Sequence, residues 1–378
     1  MARIIYAVAG EGFGHSSRSH LIGQRLLDAG HDVMFVGSQK SLLYLKQYFT
    51  DRVQEVFGLS FAFEGERIDK SETLKRNLLK LPEANRQNDE LFKKHFEPFE
   101  PELVISDFEP FSAWWAWRKH VPFISIDHEH MLTLCKLDHP VKNWFSRLTA
   151  SVVTECHYVG AVVYIVINFF KAPLRIDSAV LAPPIVRPIV GELEATAGEH
   201  ILMYSTTGTG RDRLQKTLGK FPGQTFLIYG FDQYLECDNC VFKKRSTEGF
   251  LADLAAARGV IASAGFSLLS ECMYLKKKML LLPLAGQYEQ IINARYIEQL
   301  GLGISAERLD EGAITRFLRE LDTPMPTDER IIWPDNQGFF DILQRELNKL
   351  DTPVSIELSE STYNSLVWDR VASVRPGG

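Results

Sequence analysis

The segment GVIASAGFSLLSECMYLKKKMLLLPLAGQYEQIINARYIEQLGLG, residues 259–303, limits more than any other what this chain can fold into. A short apolar run, Val260 to Ala262, meets Ser263, Ala264 and Gly265, after which Leu268, Leu269, Cys272, Met273 and Leu275 recur at helical spacing. That order predicts a strand, a tight turn and a helix, the repeating unit of α/β proteins. The first turn of such a helix presents N–H groups with no intrahelical partner and carries partial positive charge. An anion such as a diphosphate can rest there without a lysine. Ser267 adds a hydroxyl donor. Glu271, four residues further, falls on the same face, where a carboxylate can accept both hydroxyls of a ribose. A second strand, Met279 to Leu282, ends at Pro283 and passes through LAGQYEQ, containing Gln287, into a helix that opens with Glu289, Gln290 and Asn293. That cluster suits a polyhydroxylated ligand. Taken singly, each of these residues has a plainer reading, and Glu271 can equally solvate or cap a helix face.

At 378 residues the chain exceeds the size of one core, so two domains are expected. A net charge of −6 argues against a general nucleic-acid binder and requires any phosphate site to be built locally. Five cysteines in no even framework, and no leader-like start, point to a reducing cytoplasm. Cys237 and Cys240 form a lone C-x-x-C without the second pair that a zinc ribbon needs. The apolar run from Val159 to Phe170 is too short for a membrane span and reads as a buried strand.

The first half opens on a continuous apolar strand, Arg3 to Ala9, of the kind buried at the centre of a parallel sheet. Gly10, Glu11, Gly12, Phe13, Gly14 and His15 follow, then a helix closing at Gly30 and a second strand, His31 to Val36. A dinucleotide fingerprint would need glycine where His15 stands and an acid where the second strand ends in Gly37 and Ser38, so a nicotinamide cofactor is not expected. The loop offers instead an imidazole at the C-terminal end of a central strand, where open α/β sheets bind ligands. Another strand, Leu103 to Ser106, ends at Asp107, whose carboxylate at the same sheet edge can hold the imidazole tautomer; Glu109 and Asp127 stand in comparable positions. The run DHEH, residues 127–130, reads as acceptor contact or a polar strand end rather than a metal site. Trp114, Trp115 and Trp117 read as core and crevice wall. The charged stretch from Phe63 to Phe99 reads as a solvated helix, with contact to a membrane surface or a lipid-linked acceptor as the other reading.

The three prolines and small polar residues of Ala182 to Gly198 mark a linker. Beyond it the alternation begins again: a strand, His200 to Tyr204, runs into STTGTGR, where Thr206, Thr207, Gly208, Thr209 and Gly210 can offer backbone N–H groups beside Arg211. Strands follow at Thr225 to Tyr229 and Cys240 to Lys243, and a helix is expected around Phe339 to Leu350. The domains are therefore expected at 1–181 and 199–350, joined by 182–198 and followed by a tail, 351–378.

Two motif sets, A-G-x-S-x-x-x-E with a later E-Q-x-x-N-A, and G-E-G-F-G-H-S-S-R-S with a later G-H-D-V-x-F-V, resemble those of GT-B glycosyltransferases. The likeness is to the superfamily of glucuronosyltransferases and the peptidoglycan GlcNAc transferase. It implies two Rossmann-like parallel-sheet domains facing across a cleft, the first for the acceptor and the second for a nucleotide-sugar donor, with a tail that crosses back. By resemblance, Gly265 and Ser267 bind the donor diphosphate, Glu271 the ribose, and Glu289 with Gln290 the transferred sugar. Gly14, Thr207, Gly208, Thr209, Arg211, Phe242, Ser263, Phe266 and Gln287 complete the donor contacts, with Phe250 a further possibility at the base. Many members carry histidine where this chain has Ser263, and aspartate where it has Glu289. The implied activity is inverting, metal-independent transfer from a UDP-sugar or other nucleotide-sugar to a hydroxyl of a saccharide, lipid-linked or small-molecule acceptor, with His15 as base and Asp107 as its partner. No cofactor is expected, and no D-x-D triplet occurs. The alternatives are a non-hydrolysing UDP-sugar 2-epimerase and a non-catalytic nucleotide-sugar-binding subunit.

Overall fold

A computed structural model describes residues 1–10, 13–58, 63–64, 67–68, 70–140, 143–157, 160–206, 208 and 210–350. Thr207, Thr209 and the tail 351–378 lie outside the described residues. The chain forms two compact units. Of the described residues, the first takes in those of 1–58, 70–185 and 335–350; the second takes in those of 186–334 and the short segments 63–64 and 67–68.

The first unit is built on a parallel sheet of strands β1 (Arg3–Val8), β2 (Asp32–Gly37), β3 (Val53–Glu55), β4 (Leu103–Asp107), β5 (Phe123–Asp127), β6 (Val163–Ile167) and β7 (Ala179–Ala182). Their spatial order is β3-β2-β1-β4-β5-β6-β7. Ile4 through Val8 are all fully buried, as a strand covered on both faces by helices must be. The apolar run tested for membrane length is the source of β6, another buried strand. Strand order reverses between β1 and β4, so their C-terminal ends, Val8 and Asp107, lie side by side in register. The Ala9 N–H extends that pairing by donating to the Asp107 carbonyl at 2.8 Å. Helix Phe13–Asp28 follows β1 and gives way to Gly30 at φ +82°, the left-handed residue that stops a helix cleanly.

The polar stretch before β4 is helical from Lys70 to Leu91. Its Asn88 is buried and clamps the backbone of Phe57, accepting from the N–H at 2.8 Å and donating to the carbonyl at 3.2 Å. Phe92 and Phe96 then pack against Trp115. Trp115 is buried, Trp114 half-buried and Trp117 exposed, so the three tryptophans do not share one environment. The final helix, Asn336–Leu350, differs from the sequence expectation: it groups with the first unit rather than the second. The reason is its apolar face, with Phe339 and Leu343 buried, which packs toward β7, while Asp335 N–H donates to Pro184 O and Arg25 lies over the Phe340 ring.

The second unit repeats the plan with β8 (His200–Tyr204), β9 (Thr225–Tyr229), β10 (Leu235–Cys237), β11 (Cys240–Phe242), β12 (Gly259–Ala262), β13 (Lys278–Leu281) and β14 (Gly303–Ser305), in the order β10-β11-β9-β8-β12-β13-β14. All neighbours are parallel except β10 and β11, a hairpin that pairs Cys237 with Cys240. The C-x-x-C spacing therefore encodes a tight turn, with Asp238 at φ +49°. Here too the order reverses, between β8 and β12, at the two turns singled out in the sequence. Among the described residues no helix is long and apolar enough to cross a membrane.

Phe242, expected at the donor base, is instead fully buried in the core with Phe226, Ile228, Ile261 and Phe317. It pairs with Ile228 across the sheet, and the strand's alternation turns its ring inward against Phe231. Phe242→Ala should therefore cost about 3–5 kcal/mol of stability. Urea unfolding of the variant checks this; an unchanged midpoint would place the ring outside the core.

Candidate active site

His15 lies in the first turn of helix Phe13–Asp28, and Asp107 is the last residue of β4. The reversal of strand order brings them together: His15 Nδ1 is 2.7 Å from Asp107 Oδ1. Asp107 is completely buried, and a carboxylate there needs strong partners. Arg18, on the same helix face as His15, donates from Nε to Asp107 Oδ2 at 2.6 Å and from NH2 to Oδ1. Ser19 stands 3.3 Å from Oδ2 and ties back to the His15 carbonyl and the Tyr6 hydroxyl. Phe108, at φ +53°, turns the chain immediately after Asp107 and sets its ring roughly parallel to the imidazole, 6.3 Å away. On the far side of the ring, Nε2 faces Glu129 Oε1 at 3.3 Å, and Arg18 NH2 lies 4.0 Å from Glu129 Oε2.

Of the three carboxylates left open by the sequence, Asp107 is the one that meets His15. Glu109 caps helix Pro110–Arg118, accepting from the N–H groups of Phe111 and Ser112 at 2.9 and 2.8 Å. Burial pushes its pKa up despite those amides. Asp127 binds His130 Nδ1 at 2.7 Å and the Ser125 hydroxyl at 2.6 Å. His128 is buried with Nδ1 2.8 Å from Ile167 O, so the DHEH run disperses its side chains in three directions. Arg18 and Glu129 as members of this cluster escaped the sequence reading. The three-residue step from His15 to Arg18, one helical turn, was the signal available for the first.

Burial works against a charged imidazole, but Glu129 and Asp107 outweigh it, with Arg18 opposing, and His15 is raised from 6.5 to about 10. Burial likewise works against Asp107 and Glu129; Arg18 and His15 hold Asp107 below the ordinary carboxylate range, and chiefly His15 draws Glu129 down to about 2. Because the folded value of His15 lies above its unfolded value, its stabilisation is fully present below pH 6.5 and is lost as pH rises through about 10. The stability difference between wild type and His15→Ala, from urea unfolding at stepped pH, should shrink steadily across that interval.

In the second unit, helix Phe266–Tyr274 starts from Gly265 with no side-chain cap, and a Cβ at Gly265 would meet nothing within 4 Å. The space over this helix start is open. Ser263 reaches across the strand reversal to Thr206, with 2.9 Å between hydroxyls. Gly208, at φ +62°, packs so tightly that a Cβ would stand 2.5 Å from Gly230 O, and Gly210, at φ +72°, precedes helix Arg211–Leu218. Beside them an open pocket of about 440 Å³ is lined by Gly208, Gly210, Arg211, Arg213 and Phe231. Ser267 is half-buried, and Phe266 is buried, packed inward where a donor contact had been expected.

Glu271 is buried and paired in a fork with Arg187, Nε to Oε1 at 2.6 Å and NH2 to Oε2 at 2.9 Å. Arg187 was also missed from the sequence. A carboxylate retains further lone pairs for a ribose. Asn293 donates to Ala264 O at 3.1 Å and Glu289 Oε1 at 2.9 Å, tying the second helix to the turn. Gln290, expected at the sugar, is buried and shapes its own loop, accepting from Leu284 N–H at 3.0 Å and donating to Gln287 Oε1. Gly14 lies in the first turn of its helix in the other unit.

Two Rossmann-like units, each with polar turns at a reversal of strand order, are the architecture of the GT-B fold. The model of the family described as Glycosyl transferase family 1 matches residues 2–322. The chain belongs to that family and is a glycosyltransferase that moves sugar from a nucleotide-sugar donor. Solved structures agree in fold. The glycotransferase of kitacinnamycin superposes with TM-score 0.61 at 13% identity, covering 98% of this chain and 99% of that one. LpCGTa in complex with UDP gives 0.58 at 12% identity over 98% and 99% of the two chains. MurG of Acinetobacter baumannii gives 0.55 at 15% identity over 85% and 91%. No curated protein matches the chain.

Proposed function

We propose that the chain transfers a sugar with inversion and without a metal, from a UDP-sugar to a hydroxyl of a saccharide, lipid-linked or small-molecule acceptor. The observation that carries this reading is the contact of His15 with a fully buried Asp107 at the carboxyl ends of two central strands. Asp107 fixes Nδ1, which leaves Nε2 as the atom that accepts the acceptor hydroxyl proton. In the second unit the start of helix Phe266–Tyr274, with Ser267, takes the charge of the diphosphate in place of an ion; Arg211 and the Gly208 loop add donors. Glu271 holds the ribose and Glu289 the sugar. A nucleoside diphosphate leaving group is supported by solved structures of like fold, LpCGTa with UDP and SsfS6 with thymidine diphosphate. Free thiols at Cys135, Cys237, Cys240 and Cys272 support a cytoplasmic setting.

The experiment is donor turnover with acceptor, in chelator. His15→Ala should lower kcat by about 10²–10⁴-fold, Glu271→Ala should raise the donor KM, and chelator should leave wild-type rates unchanged. NMR of the product should show the anomeric configuration opposite to the donor's. Full activity of His15→Ala would refute the base assignment, and loss of rate on chelation would refute metal independence.

A further inference from the structure

The charges around His15 do not balance without its proton. Arg18 supplies one positive charge, and Asp107 and Glu129 one negative charge each. Asp107 is already matched by the fork of Arg18, so the surplus carboxylate is Glu129, which faces Nε2 at 3.3 Å. The other titratable groups facing the cluster are Tyr6, hydrogen-bonded through Ser19, and Asp127, itself paired with His130; neither supplies a compensating cation at Nε2. The two carboxylates also differ in freedom. The side chain of Asp107 is 0% exposed, whereas those of His15 and Glu129 are 15% and 17% exposed, so Glu129, not Asp107, is the carboxylate that solvent reaches.

We propose that Glu129 is a latch on His15: it keeps a proton on Nε2 and occupies the approach of the acceptor hydroxyl, so His15 becomes a base only when Glu129 is displaced. The inference rests on His15 being the base, as proposed above. On release, the imidazolium loses the carboxylate that held its charge, and the Nε2 proton passes to water. Neutral Nε2 then takes the acceptor hydroxyl proton as that oxygen bonds to the anomeric carbon, and the bond from that carbon to the diphosphate breaks, its electron pair leaving with the nucleoside diphosphate. Glu129 is a positioning residue in this scheme. A carboxylate at this distance from an imidazole shifts it by about 1–3 pH units, and the pKa of His15 given above is consistent with such a hold.

The test is a ¹⁵N titration of the His15 ring in the full chain, for wild type, Glu129→Gln and Glu129→Asp, alongside kcat/KM for the acceptor against pH. Glu129→Gln keeps the side chain's shape and removes its charge. It should lower the His15 midpoint by about 1–3 pH units and carry the acid limb of the acceptor's kcat/KM, which reports the free enzyme, down with it, leaving the donor KM unchanged. Glu129→Asp should return the midpoint most of the way. An unmoved His15 midpoint in Glu129→Gln, with melting behaviour intact, overturns the latch. A moved midpoint with a fixed limb of kcat/KM overturns it as well, and near-full activity of His15→Ala separates that outcome as a failure of the base assignment itself.

Discussion

The first unit's site is organised by a carboxylate with no access to water. Asp107 ends a central strand, 0% exposed, and desolvating an ion there costs several kcal/mol unless neighbours replace the lost hydration. Arg18 and His15 supply that replacement from successive turns of one helix, which fixes how the helix must be rotated above the sheet. The imidazole is thereby oriented before any substrate arrives. Preorganisation of this kind is what makes a short-lived proton transfer efficient, because no dipoles have to turn during the reaction. The same demand shapes the backbone: Phe108 accepts a left-handed conformation so that the chain can leave the strand without displacing Asp107.

The second unit meets the opposite sign of charge by another route. Where the first unit concentrates side-chain charge, the second exposes backbone: an uncapped helix start behind Gly265, and a loop in which Gly208 and Gly230 approach too closely for side chains. The buried charge of Glu271 is neutralised by the Arg187 guanidinium. Hydrogen bonds from Asn293 to Ala264 O and Glu289 then lock the turn to the following helix.

Much of this was legible in the sequence because it depends on local patterns. Buried strands are apolar runs, glycine turns are visible as letters, and residues just past a strand end share one sheet edge whatever the strand order. His15 and Asp107, 92 residues apart, could be paired on that basis. Partners fixed by tertiary packing were not legible. Arg187 meets Glu271 across 84 residues from a proline-rich linker that carries no periodic signal. Glu129 stood in a conspicuous polar run, yet its partner depended on β5 lying beside β4. The core place of Phe242 and the loop bonds of Gln290 were hidden for a different reason: alternation gives two faces to a strand without saying which is inner, and a loop amide can bind its own backbone as readily as a ligand.

The return of helix Asn336–Leu350 to the first unit makes that unit discontinuous in sequence, with the second inserted between its parts. A chain cut at the linker would leave β7 without the amphipathic cover that hides its apolar side, and a nascent chain released up to that point would be equally bare. The first unit therefore completes its core only after the second has been synthesised. The two units are thus coupled in biogenesis through chain connectivity.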